Sequence, residues 1–291
     1  RGVDAERRRA PRGASGKIMI LTEGTPRGEP PVLILGTAQL GLAYGAANRR
    51  GMLSDLQARE LLEAAWGAGV RWFDTARAYG ESERRLGEFF RDLSPVERRE
   101  VRVATKLAPG AGHDVQEVRR SLEASLEALG AEAVAVVFVH RGEEWSSSLA
   151  RCLEDFRCEG RIGRVGVSIY DEEEYAGLVR SAPRPDLLQV PTNLLDRRFS
   201  PRELRRRGEE SPPAVPLWGR SLFLQGLLTQ GDQEVWRRAG GASAELRHAV
   251  GCLAEFCGVS WRELALLAVR KLFALEGVVV GAEDPRQIEE L

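Results

Sequence analysis

Four residues able to move a proton fall in the first half of the chain: Asp74, Tyr79, Lys106 and His140. Three of them, Asp74, Lys106 and His140, each stop a short apolar run, and Tyr79 lies in the polar stretch "TARAYGESE" just beyond the first. A tyrosine, with a reference pKa of ~10, is a poor acid and a poor base at neutral pH, but an ammonium beside it favours the phenolate and lowers that pKa. Lys106 is expected to play that part. Asp74 is expected to keep Lys106 charged and oriented, and His140 to hydrogen-bond the same substrate oxygen. Singly, a His at a strand end or an Asp before a helix is an ordinary structural group. Together, an acid, a phenol, an amine and an imidazole form the mutually perturbing set that acid–base chemistry needs.

These residues need elements that bring them to one place. Short runs rich in Val, Ile and Leu recur along the chain, each followed by an amphipathic segment: "VLILGT" by "SDLQARELLEAAWGAG", "VRWFD" by "ESERRLGEFFRDL", "VRVATK" by "DVQEVRRSLEASLEALG". "AVAVVFVH", "IGRVGVS", "DLLQV", "AVPLW" and "LEGVVVG" continue the series. Strand ends are expected near Thr37, Asp74, Lys106, His140, Ser168, Gln189, Trp218 and Gly281, mostly one βαβ step of roughly 20–40 residues apart. Continuous rather than alternating apolar runs mean strands covered on both faces. Eight such units in about 250 residues predict a single-domain α/β fold, the (β/α)8 TIM barrel. No G-x-G-x-x-G follows a strand, which removes the usual support for a doubly wound sheet. Residues 1–17 read as a flexible, disordered tail and 18–291 as the barrel domain, opened by an extra N-terminal strand or hairpin at "KIMIL". "SPRELRRRGEESPPA" and the segment from Gly226 to Gly258 read as long loops.

Composition narrows the function. With 291 residues, 43% hydrophobic and 29% charged, the chain can bury a full core. A formal net charge of −1 argues against a dedicated nucleic-acid or anionic-membrane binder, which would carry a basic excess. No apolar run approaches the ~20 residues of a membrane span, and the expected compartment is the cytoplasm. Cys152, Cys158, Cys252 and Cys257 form no C-x-x-C pair and read as reduced, buried small hydrophobes. The three histidines, His113, His140 and His248, lack zinc-site spacing, so no metal is expected.

The stretches "LGTAQLG", "FDTARAYGESERRLG", "ATK", "FVH", "GVS", "LQVPTNLLDRR" and "FLQGLLT" resemble the aldo-keto reductase family over nearly the whole chain. The resemblance implies a cytoplasmic NAD(P)H-dependent oxidoreductase that reduces an aldehyde or ketone, or runs the reverse. It implies Tyr79 as general acid/base, Lys106 and Asp74 as its tuners and His140 as the group that orients the carbonyl. For the cofactor it implies Gly36, Thr37 and Ala38 in the first loop, together with Asp74. Ser168 and Gln189 are implied at the carboxamide, with Asn193 completing a Q-x-x-x-N pattern. Arg220, Ser221, Leu222 and Gln225 fall in the loop that covers the dinucleotide. Gly281, Arg286, Gln287 and Glu290 fall at the adenosine end.

The sequence departs from the family pattern in three places. Ile169 replaces the usual Asn, and Arg220 stands where an aromatic commonly stacks on the nicotinamide, leaving Arg220 or Trp218 as the stacking group. At the adenosine end Arg286 is the one cation, opposed by Glu283 and Asp284; the family favours NADPH, with NADH not excluded. Tyr44, Tyr170, Trp145 and Trp218, with Tyr79 and His140, are the candidates for contact with a small-molecule substrate, and the opening "LGTAQLGLAYGAANRRG" resembles reductases of sugar or secondary-metabolite pathways. The other reading is a cofactor-binding redox-sensing or scaffold subunit with little turnover, and the intact set of four residues argues against it.

Overall fold

The computed structural model describes residues 31–48, 50–210, 215–238 and 244–290, so the expected tail and the "KIMIL" strand lie outside the described residues. The first half of the fold runs β1 (Val32–Gly36), α1 (Asp55–Gly67), β2 (Trp72–Asp74), α2 (Ser82–Asp92), α3 (Pro95–Arg98), β3 (Arg102–Lys106), α4 (Val115–Leu129), β4 (Val134–Val139) and α5 (Ser147–Cys158). The second runs β5 (Ile162–Ser168), α6 (Glu172–Val179), β6 (Leu187–Pro191), α7 (Pro201–Arg206), β7 (Leu217–Arg220), α8 (Gln233–Arg238), α9 (Ala244–Cys257), α10 (Trp261–Leu272), β8 (Gly277–Gly281) and α11 (Pro285–Glu289). All eight strands are parallel, each paired with its neighbour, and β1 pairs with β8 to close the barrel. This is the (β/α)8 architecture.

Two layers of apolar side chains hold it. Outward-facing strand residues such as Leu35, Phe73, Val137, Val167 and Leu188 pack under the helices. Inward-facing Ile34, Trp72, Ala104, Phe138, Leu187, Trp218 and Val279 form a separate cluster in the lumen. Trp218 sits at its centre, edge-on to Trp72 at 5.4 Å and tilted against Phe138 at 5.6 Å. Offset aromatic pairs of this kind fill the lumen more stably than face-to-face stacks. Helices start where the sequence supplies caps: Ser54 with Gln57, Asp171 with Glu174 and Ser260 with Glu263 each form a reciprocal capping box.

Two segments read as loops contain helix. "SPRELRRRGEESPPA" opens with the short α7, capped by Ser200 with Pro201 at its first position. The segment from Gly226 to Gly258 carries α8 and α9, whose buried residues Val235, Trp236, Val250 and Ala254 join a second core with α10 and β8. The cysteine expectation holds only for Cys152; Cys158, Cys252 and Cys257 are exposed. Among the described residues no helix is long and apolar enough to cross a membrane.

Candidate active site

Side chains alternate along a strand, so the residue two steps beyond a lumen-facing one faces inward again, one layer higher. That rule generates the floor of the cleft at the carboxyl ends of the strands. Above Ile34 comes Gly36, above Trp72 Asp74, above Ala104 Lys106, above Phe138 His140, above Leu187 Gln189, above Trp218 Arg220 and above Val279 Gly281. With Ser168 from β5, every strand contributes at least one residue, in it or directly after it, to a single cleft of about 410 Å³.

The centre of the floor is wired by one carboxylate. Asp74 Oδ2 accepts from Lys106 Nζ at 2.6 Å, and both side chains are almost wholly buried. Asp74 Oδ1 accepts from Gln189 Nε2 at 2.8 Å, which ties β2 to β6 across the lumen. Lys106 Nζ donates as well to the Thr75 carbonyl and stands 5.2 Å from the centre of the Tyr79 ring. His140 Nδ1 lies 3.4 Å from the Leu107 carbonyl. A carbonyl oxygen only accepts, so this contact favours the tautomer with the proton on Nδ1.

The loop that carries Tyr79 is held from beneath. Arg77 N–H donates to the Lys106 carbonyl, and the Arg77 guanidinium pairs at 2.6 Å with Glu83, a buried carboxylate that also accepts from Thr105 Oγ1 at 2.7 Å. The β1 loop presses against the same segment. A Cβ at Gly41 would fall 1.9 Å from the Tyr79 carbonyl oxygen, and Gly80, at φ +52°, would put one 2.5 Å from the Gly41 carbonyl oxygen. Only glycine allows both the approach and the left-handed backbone.

Charge and burial compete over each titratable group. Burial is the largest single influence on Lys106 and works against its ammonium, but Asp74 and Tyr79 together outweigh it and the pKa is raised. For Tyr79, burial raises the pKa, the Lys106 charge opposes it, Asp74 adds to the rise, and the result lies above the tyrosine value. This corrects the expectation of a lowered Tyr79 pKa: desolvation of the phenolate exceeds the help from an ammonium already shared with Asp74. Burial, then the Lys106 charge, lowers the His140 pKa and favours the neutral imidazole.

The model of the Aldo/keto reductase family matches residues 32–291. The chain belongs to this family. Aldo/keto reductases are oxidoreductases, and the relatives agree with the assignment. A D-threo-aldose 1-dehydrogenase from Pseudomonas sp. is 30% identical, the match covering 90% of this chain and 91% of that protein. An L-glyceraldehyde 3-phosphate reductase from Escherichia coli O157:H7 is 28% identical over 86% of this chain and 82% of its own. In fold, an aldo-keto reductase from Bacillus halodurans in its holo form superposes with a TM-score of 0.70 at 19% identity, covering 89% of this chain and 84% of that one.

In this aldo/keto reductase the residues implied for the cofactor divide. Gly36, Thr37, Ala38 and Asp74 line the cleft on one side, Ser168 and Gln189 in the middle, and Arg220, Ser221, Leu222, Gln225, Gly281 and Gln287 on the other. Arg286 and Glu290 are not among the lining residues. Arg286 is spent on Asp284 through two contacts of 3.0 and 3.1 Å, and Glu290 is paired with Arg262. Of the substrate candidates, Tyr44, Tyr79, His140 and Tyr170 line the cleft. Trp218 is a correction: it is 2% exposed, one layer beneath the floor, with its indole N–H on Glu276. Trp145 is another, because it packs against the outer core and donates to the Pro183 carbonyl. The guanidinium of Arg220 lies 4.3 Å from the centre of the Tyr170 ring and donates to the Ile169 carbonyl, while Asn193 serves to fix its own turn by accepting from Leu195 and Asp196 N–H.

Arg262 is one of the lining residues that the sequence reading missed, with Gln39, Thr229 and Gln230 among the others. It sits in the first turn of α10, where backbone N–H groups favour anions. The "SWRE" capping box was the available signal, but a helix inserted between β7 and β8 gives no indication from sequence of what its first turn faces.

Proposed function

We propose that the chain interconverts a carbonyl and an alcohol on a small polyhydroxylated, sugar-like molecule, using a nicotinamide dinucleotide. The observation that carries this reading is the buried Asp74–Lys106 pair at 2.6 Å beneath the Tyr79 ring, on the floor of a cleft that His140 also lines. The cleft fits the dinucleotide's reactive end. Gln189 Oε1 is buried without a partner while its Nε2 is held by Asp74, which leaves an acceptor for the two N–H donors of a carboxamide. When bound, a reduced nicotinamide supplies a hydride to the carbonyl carbon.

The chain's own residues handle the proton. In reduction Tyr79 Oη gives its proton to the carbonyl oxygen, and in oxidation it takes the proton back. Lys106 stabilises the phenolate left behind, and Asp74 keeps Lys106 charged. With its proton on Nδ1, His140 has only the Nε2 lone pair to offer, so it accepts from a substrate hydroxyl rather than bonding the carbonyl oxygen as the sequence led one to expect. Tyr44, Tyr170, Gln39 and Arg220 make the wall rich in hydrogen-bonding groups, which suits hydroxylated carbons better than an apolar chain. The names of the relatives, an aldose 1-dehydrogenase and a glyceraldehyde phosphate reductase, support the same substrate class.

Purified protein is expected to change nicotinamide absorbance with a panel of aldoses, short hydroxyaldehydes and polyols. Tyr79→Phe is expected to stop turnover and leave dinucleotide binding intact. Full dinucleotide binding with no turnover across the panel would sink the catalytic reading.

A further inference from the structure

The cleft is one continuous groove that begins at Tyr79, on the β2 to β4 side, and ends among Glu283, Gln287 and Arg262, at the β8 loop and the start of α10. A dinucleotide with its nicotinamide at Tyr79 therefore has its adenosine half near β8; this rests on the function proposed above. The charges at that end are unequal in availability. Asp284 binds Arg286 and also Arg50, the latter at 2.8 Å, so both cations nearest the β8 loop are engaged by one carboxylate. Arg262 is paired with Glu290. Glu283 is different: it is half-buried, it lines the groove, and no described side chain donates a hydrogen bond to it. Its backbone N–H donates to Gln287 Oε1 at 2.8 Å, which fixes the residue at the groove's end.

An ionised carboxylate accepts hydrogen bonds and donates none. It suits the vicinal hydroxyls of a ribose, each with an O–H to give, and it repels a 2′-phosphate, which brings negative charge and acceptor oxygens only. We infer that the β8 end of the groove selects the unphosphorylated dinucleotide, NAD(H), over NADP(H), with Glu283 as the selecting residue. This runs against the family-based expectation of NADPH.

The test isolates the adenosine half. Burial raises the Glu283 pKa, so binding of ADP-ribose and of its 2′-phosphorylated analogue is measured by calorimetry on the full chain at about pH 8, to favour the ionised carboxylate. The phosphorylated ligand is expected to bind at least about tenfold more weakly, and added salt to narrow the gap by screening the repulsion. Glu283→Gln, or Glu283→Ser if the first variant is unstable, is expected to bring the two ligands within about threefold of each other, because ADP-ribose loses the charged acceptor for its hydroxyls and the phosphorylated ligand loses the repulsion. Equal or tighter binding of the phosphorylated ligand, or an unchanged ratio in a folded Glu283 variant, would overturn the inference and leave the oxidoreductase reading standing. Failure of both ligands, and of NAD(H) and NADP(H), would overturn the two together.

Discussion

The two ends of the groove solve different problems with the same residue types. At the β2 to β4 end, one acid holds one base in a buried pair at 2.6 Å, and the loop above is pinned by the buried Glu83. At the β8 end the acids and bases meet nearer solvent: the Asp284 partners Arg50 and Arg286 are 49% and 77% exposed, and the Glu290 side chain is 57% exposed. A buried pair cannot lose one member cheaply, because the survivor is a charge out of water. An exposed pair can, because water replaces the partner. The difference teaches where the fold tolerates change: the Asp74–Lys106 end is constrained, and the β8 end is adjustable.

The sharpest break in this comparison comes from Tyr79→Phe. It should lower kcat by roughly 10²–10⁴-fold with the dinucleotide Kd unchanged, read by steady-state kinetics and fluorescence titration. Next is Lys106→Met, which strands Asp74 and should cost about 3–5 kcal/mol of stability by denaturant unfolding, besides most of the activity. A Lys106→Met protein as stable as the wild type would refute the constrained end. Glu83→Gln keeps the shape but loses the charge that Arg77 and Thr105 share. It should cost about 1.5–3 kcal/mol and lower kcat more than it raises KM, because the Tyr79 loop loses its anchor.

The pH profile sharpens the same contrast. Reduction needs Tyr79 protonated, and its pKa is raised, so the rate should stay level through neutral pH and fall only above the ordinary tyrosine value of ~10. Oxidation needs the phenolate and should rise with pH over the same range. A reduction rate already halved near neutrality would contradict the burial of the phenol. The smallest effect belongs to the β8 end: Arg286→Ala, removing a cation bound to Asp284, should change the dinucleotide Kd by less than about twofold.

The barrel was legible because a strand covered on both faces needs an uninterrupted apolar run, and each run stops where the cleft begins. Asp74, Lys106 and Ser168 are the last residues of their strands, as expected, and His140 follows Val139 directly. What the runs do not encode is height within the lumen. Trp218 and Arg220 both face inward from β7, and only the packing of Trp72 and Phe138 against Trp218 reveals that it is Arg220 that reaches the cleft. Trp145 had a suitable position in sequence, yet its indole follows the apolar outer face to Pro183. The direction of the Tyr79 shift also eluded the sequence, because it depends on how deeply the ring is buried, which residue types alone do not specify.

The aromatic layer beneath the tetrad has a consequence for traffic. Trp72, Phe138 and Trp218 pave the barrel directly under Asp74 and Lys106, and lower still Glu276 is clasped by Arg164. The paving side chains are apolar apart from their indole N–H groups, of which that of Trp218 is spent on Glu276 below. On the proposed mechanism, a proton that Tyr79 gives up is then replaced through the mouth by which the substrate arrives, so an occupied mouth also paces the recharging of the acid.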